Sequence, residues 1–472
     1  MVFSSSVFLF LFLPLFLAIY YAVPFRAKSW VILVGSYVFY GWWRIDFLFL
    51  FFAVTVWSYG FGLAIARAPN PARAKALCLI GIGGNLAVLG YFKYFNFGVD
   101  SLNTLLGAIE VPALSLWHVI LPIGISFYVF HAISYLVDLY RKDADPVARF
   151  VDFAAFLALF PQLVAGPVLR YKDLYFQFNH RTHSFSKFST GAQRFMIGFC
   201  KKILIADSVA PLVDTMFSNP DPTFADAWLG ALAYTVQLYF DFSGYSDMAV
   251  GLGLMIGFRI IENFNHPYIS GSITEFWRRW HISLSTWLRD YLYISLGGNR
   301  LGPVRTYINL FLTMLLGGLW HGANWTFVLW GAWHGTVLAI ERALGVRHGT
   351  PYPRWIGMPV TLLLVIIGWV MFRAPNVTTA IGFYRGMLGL NGYGISSAVA
   401  WQVNGIELLM LTVGWIVIYT APYIPRRFWV RKSTSLWRDP ALAGSIATVS
   451  LMALAVLKLV SDSFSPFLYF QF

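Results

Sequence analysis

Long apolar runs separated by short polar joints set the pattern of this chain. A membrane crossing needs about 20 mostly apolar residues. Runs of that kind fall near residues 7–25, 29–43, 47–66, 76–95, 118–140, 203–217, 228–260, 304–320, 322–341, 355–372, 405–424 and 441–460. The run at 228–260 is long enough to hold two segments. Lipid admits only backbone whose hydrogen bonds are satisfied internally, so these runs read as helices. The pattern predicts an all-α polytopic membrane protein with roughly 10–13 membrane segments, some of them re-entrant. Residues 151–168, cut by Pro161 and Pro167, predict one such half-buried segment.

Two stretches depart from the pattern. Residues 169–202 and 275–305 mix arginine and lysine with aromatics, and both read as amphipathic helices lying in the cytoplasmic interface. No periodic repeat or low-complexity linker divides the chain, so residues 1–472 are expected to form one membrane domain.

Composition strengthens the membrane reading. Of 472 residues, 58% are hydrophobic and only 12% charged. A soluble domain has about half apolar and about a quarter charged residues. The net charge of +13 does not point to nucleic acid, because the basic residues sit in short clusters between apolar runs. Arg26 with Lys28, and residues 67–75, 141–149, 342–354 and 426–438, fit cytoplasmic loops. Residues 100–117 and 219–226 lack Lys and Arg and read as periplasmic. The first run lacks a basic segment before it and a small-residue cleavage site after it; it reads as a retained span with its N-terminus outside. Cys78 and Cys200 are far apart and give neither a disulfide framework nor a metal pair.

Polar side chains inside apolar runs are costly and therefore functional candidates. His321 stands in LLGGLWHGANWTFVLWGAWHG, residues 315–335, beside Trp320 and Asn324. The glycines there permit close backbone approach, and Trp320 and Trp325 supply bulk that can exclude water. A desolvated imidazole is a sensible general base. A core histidine bonded to a backbone carbonyl would look the same in sequence. The WHG triplet recurs with His334. No carboxylate or cysteine stands at a ligand spacing, so no metal site is expected. His281 lies in EFWRRWHISLSTWLRDYLYISLGGNR, residues 275–300, with Arg278, Arg279 and Arg289. An aromatic belt at headgroup depth would explain the tryptophans and arginines of this stretch. Asp241 and Asp247 interrupt the run at 237–258 and need partners: an ion pair with interfacial arginines, or a substrate.

Together LPIGISFYVF, FPQLVAGPVLR, QLYFDFSGYSDMAVGLG and the two histidine motifs resemble the membrane-bound O-acyltransferase family, over nearly the whole chain. The last two motifs resemble its bacterial polysaccharide-acylating branch. The resemblance implies a helical rim around a central tunnel, with His321 as the catalytic histidine and His281 as a second polar site residue. It implies acetyl-CoA or another cytoplasmic acetyl donor, and transfer across the inner membrane through periplasmic or membrane-anchored partners. The acceptor it implies is an exported polysaccharide, alginate foremost, with cellulose, peptidoglycan or teichoic acid as alternatives. Arg278 and Arg279 would hold donor phosphates. A transporter is the rival reading, but the paired halves expected of one are missing from the sequence. A scaffold that only anchors an export complex is another.

Overall fold

The structure, a computed structural model, describes residues 1–164, 166–346, 353–424 and 440–461. Among these there is no strand. The basic stretch 426–438, Arg347 and His348 lie outside the described residues. The chain clusters into two compact units: residues 1–185 with 256–260, and residues 186–255 with 261–472.

The first unit holds α1 (Leu13–Ala22), α2 (Lys28–Gly41), α3 (Asp46–Ala66), α4 (Pro71–Ala108), α5 (Ile125–Arg141), α6 (Phe150–Ala158) and α7 (Tyr171–His180). Phe8, Phe12, Phe16 and Phe39 surround Phe160 at ring centroid distances of 5.0–6.3 Å. Phe160 opens a single helical turn after α6, and every residue of Val151–Val164 is buried. The stretch cut by prolines is thus an interior segment broken into short helices. The 118–140 run becomes helical only at Ile125, because Pro122 and the left-handed Gly124 (φ 73°) precede it. A Cβ on Gly124 would lie 2.3 Å from the carbonyl oxygen of Leu163.

The second unit holds α8 (Phe185–Cys200), α9 (Asp207–Ser218), α10 (Phe224–Met255), α11 (Ile273–Arg279), α12 (Ile282–Trp287), α13 (Gly302–His321), α14 (Trp325–Ala343), α15 (Arg354–Arg373), α16 (Val377–Met387), α17 (Gly405–Thr420) and α18 (Pro440–Ser461). Residues 228–255 of the 228–260 run belong to one helix of 32 residues, α10, and not to two segments. Helices α8 and α9 are continuous through a π-helical turn, Lys201–Ala206. Glycines let α8 and α10 touch backbone to backbone. A Cβ on Gly191 would lie 2.6 Å from the Gly251 carbonyl, and one on Gly198 would lie 2.4 Å from that of Gly244. The contact is reciprocal, with 2.5 and 2.6 Å from the other side. Such small-residue seams are how helices pack where hydrophobicity alone provides no drive.

Five described helices are long and apolar enough to cross a membrane: α3, α4, α15, Gly405–Tyr423 and Gly444–Ser461. Helices α10, α13 and α14 are as long but carry polar side chains that face protein, among them Asp241, Asn309 and His334. In the 275–305 stretch Trp277, Trp280 and Trp287 are 9%, 2% and 5% exposed. They pack inside the protein, so a headgroup belt is not what they form.

Candidate active site

Helices α13 and α14 form an antiparallel hairpin drawn together by glycine. A Cβ on Gly318 would meet the Phe327 carbonyl at 2.3 Å, and one on Gly331 would meet that of Met314 at 2.5 Å. His321 is the last residue of α13, and Gly322 ends the helix in extended backbone. A helix C-terminus favours positive charge, so this position suits an imidazole that must take up a proton. Rings enclose it. Trp320, Trp330 and Phe372 stand edge-on at centroid distances of 5.0, 5.1 and 5.2 Å. His321 is 4% exposed.

His281 lies between α11 and α12, fully buried, in left-handed backbone with φ 44°. That conformation is strained for a residue with a Cβ. Asn263 secures it. Its Oδ1 is 3.1 Å from His281 Nδ1 and accepts from the Ser283 amide at 3.2 Å and the Ser283 hydroxyl at 2.8 Å. A backbone amide can only donate, so this atom is the amide oxygen and not the nitrogen. Nδ1 of His281 therefore carries the proton, and Nε2 is the bare nitrogen. Nε2 is buried and has no hydrogen-bond partner among the described residues. Burial lowers the His281 pKa from its ordinary value and keeps the ring neutral at pH 7.

A cavity of about 470 Å³ opens beside His321. Trp277, Trp330, Leu288 and Met314 form apolar wall, and Arg278, Arg289, Arg342, Tyr293 and Asn299 form polar wall. Of the arginines, Arg289 pairs with Asp290 at 2.7 Å. Its 60% exposure leaves that pair weak. Arg342 sits eight residues past His334 on α14, two turns along one face. Its neighbour Glu341 caps α11, accepting from the amides of Ile273 at 2.6 Å and Thr274 at 2.8 Å. So α14 both lines the cavity and holds the helix that carries Trp277 and Arg278.

The other candidates are placed as follows. His334 is buried, and its Nδ1 accepts from Trp277 Nε1 at 3.4 Å; it orients a cavity wall and does not line the cavity. Asn324 caps α14 through the Thr326 amide at 3.0 Å and donates to the Pro375 carbonyl at 2.8 Å. Arg279 is paired with Glu275 at 2.7 Å, and Arg354 reaches the same carboxylate. Asp247 accepts from Arg194 at 2.7 Å and Lys201 at 2.6 Å, across the α8–α10 seam. Asp241 pairs with Lys202 at 2.7 Å, which also holds Asp207 at 2.6 Å. Neither aspartate lines the cavity. Their geometry is that of structural ion pairs, and the π turn lets the adjacent lysines serve both. Among the described residues no group of three His, Cys, Asp or Glu side chains is placed to hold a metal ion.

Sequence reasoning noted Asn299 and Asp290 crowded beside His281 but did not single out Asn263, Glu341 or Tyr293 as site residues, and it read Arg342 only as loop charge. Helical spacing from His334 was the one signal for Arg342. Nothing local marks Asn263.

Comparison with known proteins gives the same assignment over the whole chain. Residues 114–377 match the model of MBOAT, the membrane-bound O-acyltransferase family. The chain is 55% identical to the probable alginate O-acetylase of Azotobacter vinelandii and 52% identical to that of Pseudomonas aeruginosa, covering all of this chain and of each relative. It is 33% identical to the peptidoglycan O-acetyltransferase of Helicobacter pylori, over all of this chain and 98% of that one. Both histidine motifs fall inside the matched segment, and the chain belongs to the membrane-bound O-acyltransferase family, as an integral membrane acyltransferase.

Proposed function

We propose that this protein takes an acetyl group from a cytoplasmic thioester, acetyl-CoA, and passes it across the inner membrane for O-acetylation of an exported polysaccharide, alginate foremost. The observation that carries the reading is His321, caged by aromatic rings on the wall of a cavity that also presents Arg278, Arg289 and Arg342. The names of the full-length relatives at 52–55% identity support alginate over peptidoglycan.

A thioester is already activated, so the protein needs a base and a fixed geometry. His321 takes the proton of the attacking hydroxyl as its oxygen bonds to the acetyl carbonyl carbon. The carbon–sulfur bond breaks, and the proton passes to the leaving thiolate. Neutral His281 offers Nε2 as an acceptor that steadies the His321 imidazolium in between. The three arginines hold the phosphates of the donor, and the apolar wall keeps water from the thioester. The attacking hydroxyl belongs to the sugar or to a periplasmic or membrane-anchored partner that relays the acetyl group.

The test is polymer acetylation in cells carrying His321→Ala, with membrane levels of the protein checked in parallel. Loss of acetyl ester with the protein present supports the reading. Normal acetylation removes His321 from the chemistry.

A further inference from the structure

We propose that Lys28 and Arg181, gathered around Tyr20 in the first unit, form a binding site for a phosphate group. The site contains none of the residues given a part in acyl transfer above.

Two buried cations meet here without an acid among the described residues. Lys28 is 7% exposed and Arg181 is 6% exposed. Buried cations are ordinarily paired with anions or costly. Lys28 Nζ donates to the Tyr20 carbonyl oxygen and stands over the Tyr20 ring, 4.2 Å from its centroid. Arg181 donates through Nε to the Tyr20 hydroxyl at 3.1 Å and through Nη1 to the Phe178 carbonyl at 2.7 Å. Its guanidinium lies over Phe25 and Phe258, at 5.0 and 4.8 Å. These carbonyl and ring contacts hold the cations but do not neutralise them. Among the described residues no carboxylate is in contact with either side chain.

Donors remain for a ligand. Arg181 Nη2 is buried and has no hydrogen-bond partner among the described residues. Lys28 has three N–H groups and, among the described residues, a single hydrogen bond. The Tyr20 hydroxyl gives its own proton to the Ile256 carbonyl at 2.7 Å. The contact of 2.9 Å between that hydroxyl and His183 Nε2 is therefore donated by the imidazole. Arg181 Nη2 and the remaining Lys28 N–H groups thus stand beside one tyrosine. Phosphate oxygens match such charged donors. Tyr21 and Phe25 beside the site are 43% and 40% exposed, an apolar rim suited to the glycerol and acyl part of a phospholipid. A free phosphate would use the same donors.

The full chain in detergent separates the possibilities. Its thermal unfolding is followed while phosphatidylglycerol or inorganic phosphate is added, for wild type and for the double variant Lys28→Gln, Arg181→Gln. The expected result is stabilisation of wild type whose midpoint concentration rises about tenfold or more in the double variant, as lost charge-assisted hydrogen bonds require. Lys28→Arg keeps the charge and should behave as wild type. Response to phosphatidylglycerol alone identifies a lipid headgroup, and response to inorganic phosphate as well identifies a soluble ligand. Equal midpoints in wild type and double variant overturn the site. Should the double variant not fold, a photoactivatable phosphatidylglycerol or phosphate-ester probe is applied to wild type. Crosslinking to residues 20–28 or 178–183 supports the site, and crosslinking only elsewhere overturns it.

Discussion

His281 and His321 stand with ring centroids 6.2 Å apart and planes inclined by 60°. One ring lines the cavity and the other lies behind it, fully buried. Under the proposed function the pair divides the work: one histidine would exchange the proton, and the other would answer the charge that results. His321→Ala should lower acetyl transfer by about 10²–10⁴, the usual contribution of a positioned base. His281→Ala should lower kcat less and leave the donor KM near that of wild type. Steady-state transfer by purified protein, with acetyl-CoA as donor, measures both.

The Asn263 oxygen sets which nitrogen of His281 is bare. In Asn263→Asp a carboxylate would face Nδ1 and raise the His281 pKa from its present lowered position. The ring would then be protonated below the new pKa, and Nε2 would no longer accept. Activity of the variant should fall on the acid side of a pH–rate profile, where wild type stays level. An unchanged profile would show that the His281 tautomer has no part in the reaction.

Arg342 and Arg279 test the proposed donor site against its surroundings. Arg342 lines the cavity, whereas Arg279 is paired with Glu275. Arg342→Ala should raise the KM for acetyl-CoA about tenfold, the scale of one charge-assisted contact. Arg279→Ala should leave that KM within about twofold, since a partly exposed ion pair contributes little.

The α8–α10 seam is a packing prediction. A Cβ on Gly198 would lie 2.4 Å from the Gly244 carbonyl. Gly198→Ala should cost about 1–3 kcal/mol through forced separation of the helices, and Gly198→Leu should abolish accumulation in the membrane. Thermal unfolding in detergent checks the first and immunoblotting of membranes the second. Gly83, which has nothing within 4 Å of its Cβ position, is the control.

His321 was legible because its motif breaks an apolar run with Gly, Trp and His together. Helices were legible for the same reason, the solvent being lipid. Trp277 and Trp280 were not, because a lipid-facing tryptophan and one packed in protein have the same local composition. Lys201 and Lys202 read as interfacial charge, yet each reaches an aspartate of α10. Their pairing depends on a π turn, which leaves no periodic trace in sequence. Asn263 gave no signal, since its role comes from a loop folded back onto His281 and Ser283. Tertiary contact, not local preference, decided each of these.

The glycine-sutured hairpin of α13 and α14 makes the reacting centre a ruler. His321 ends one arm and Arg342 lies near the end of the other, 17 residues past Trp325. At 1.5 Å per residue the second arm spans about 26 Å. At Gly318 and Gly331 no side chain separates the arms, so their register is fixed by backbone contact. On the proposed function, a donor would then be measured as well as bound: a thioester cut short of its phosphates would reach the base but not the arginine, and its reaction would forgo the binding energy gathered at the far end of the gauge.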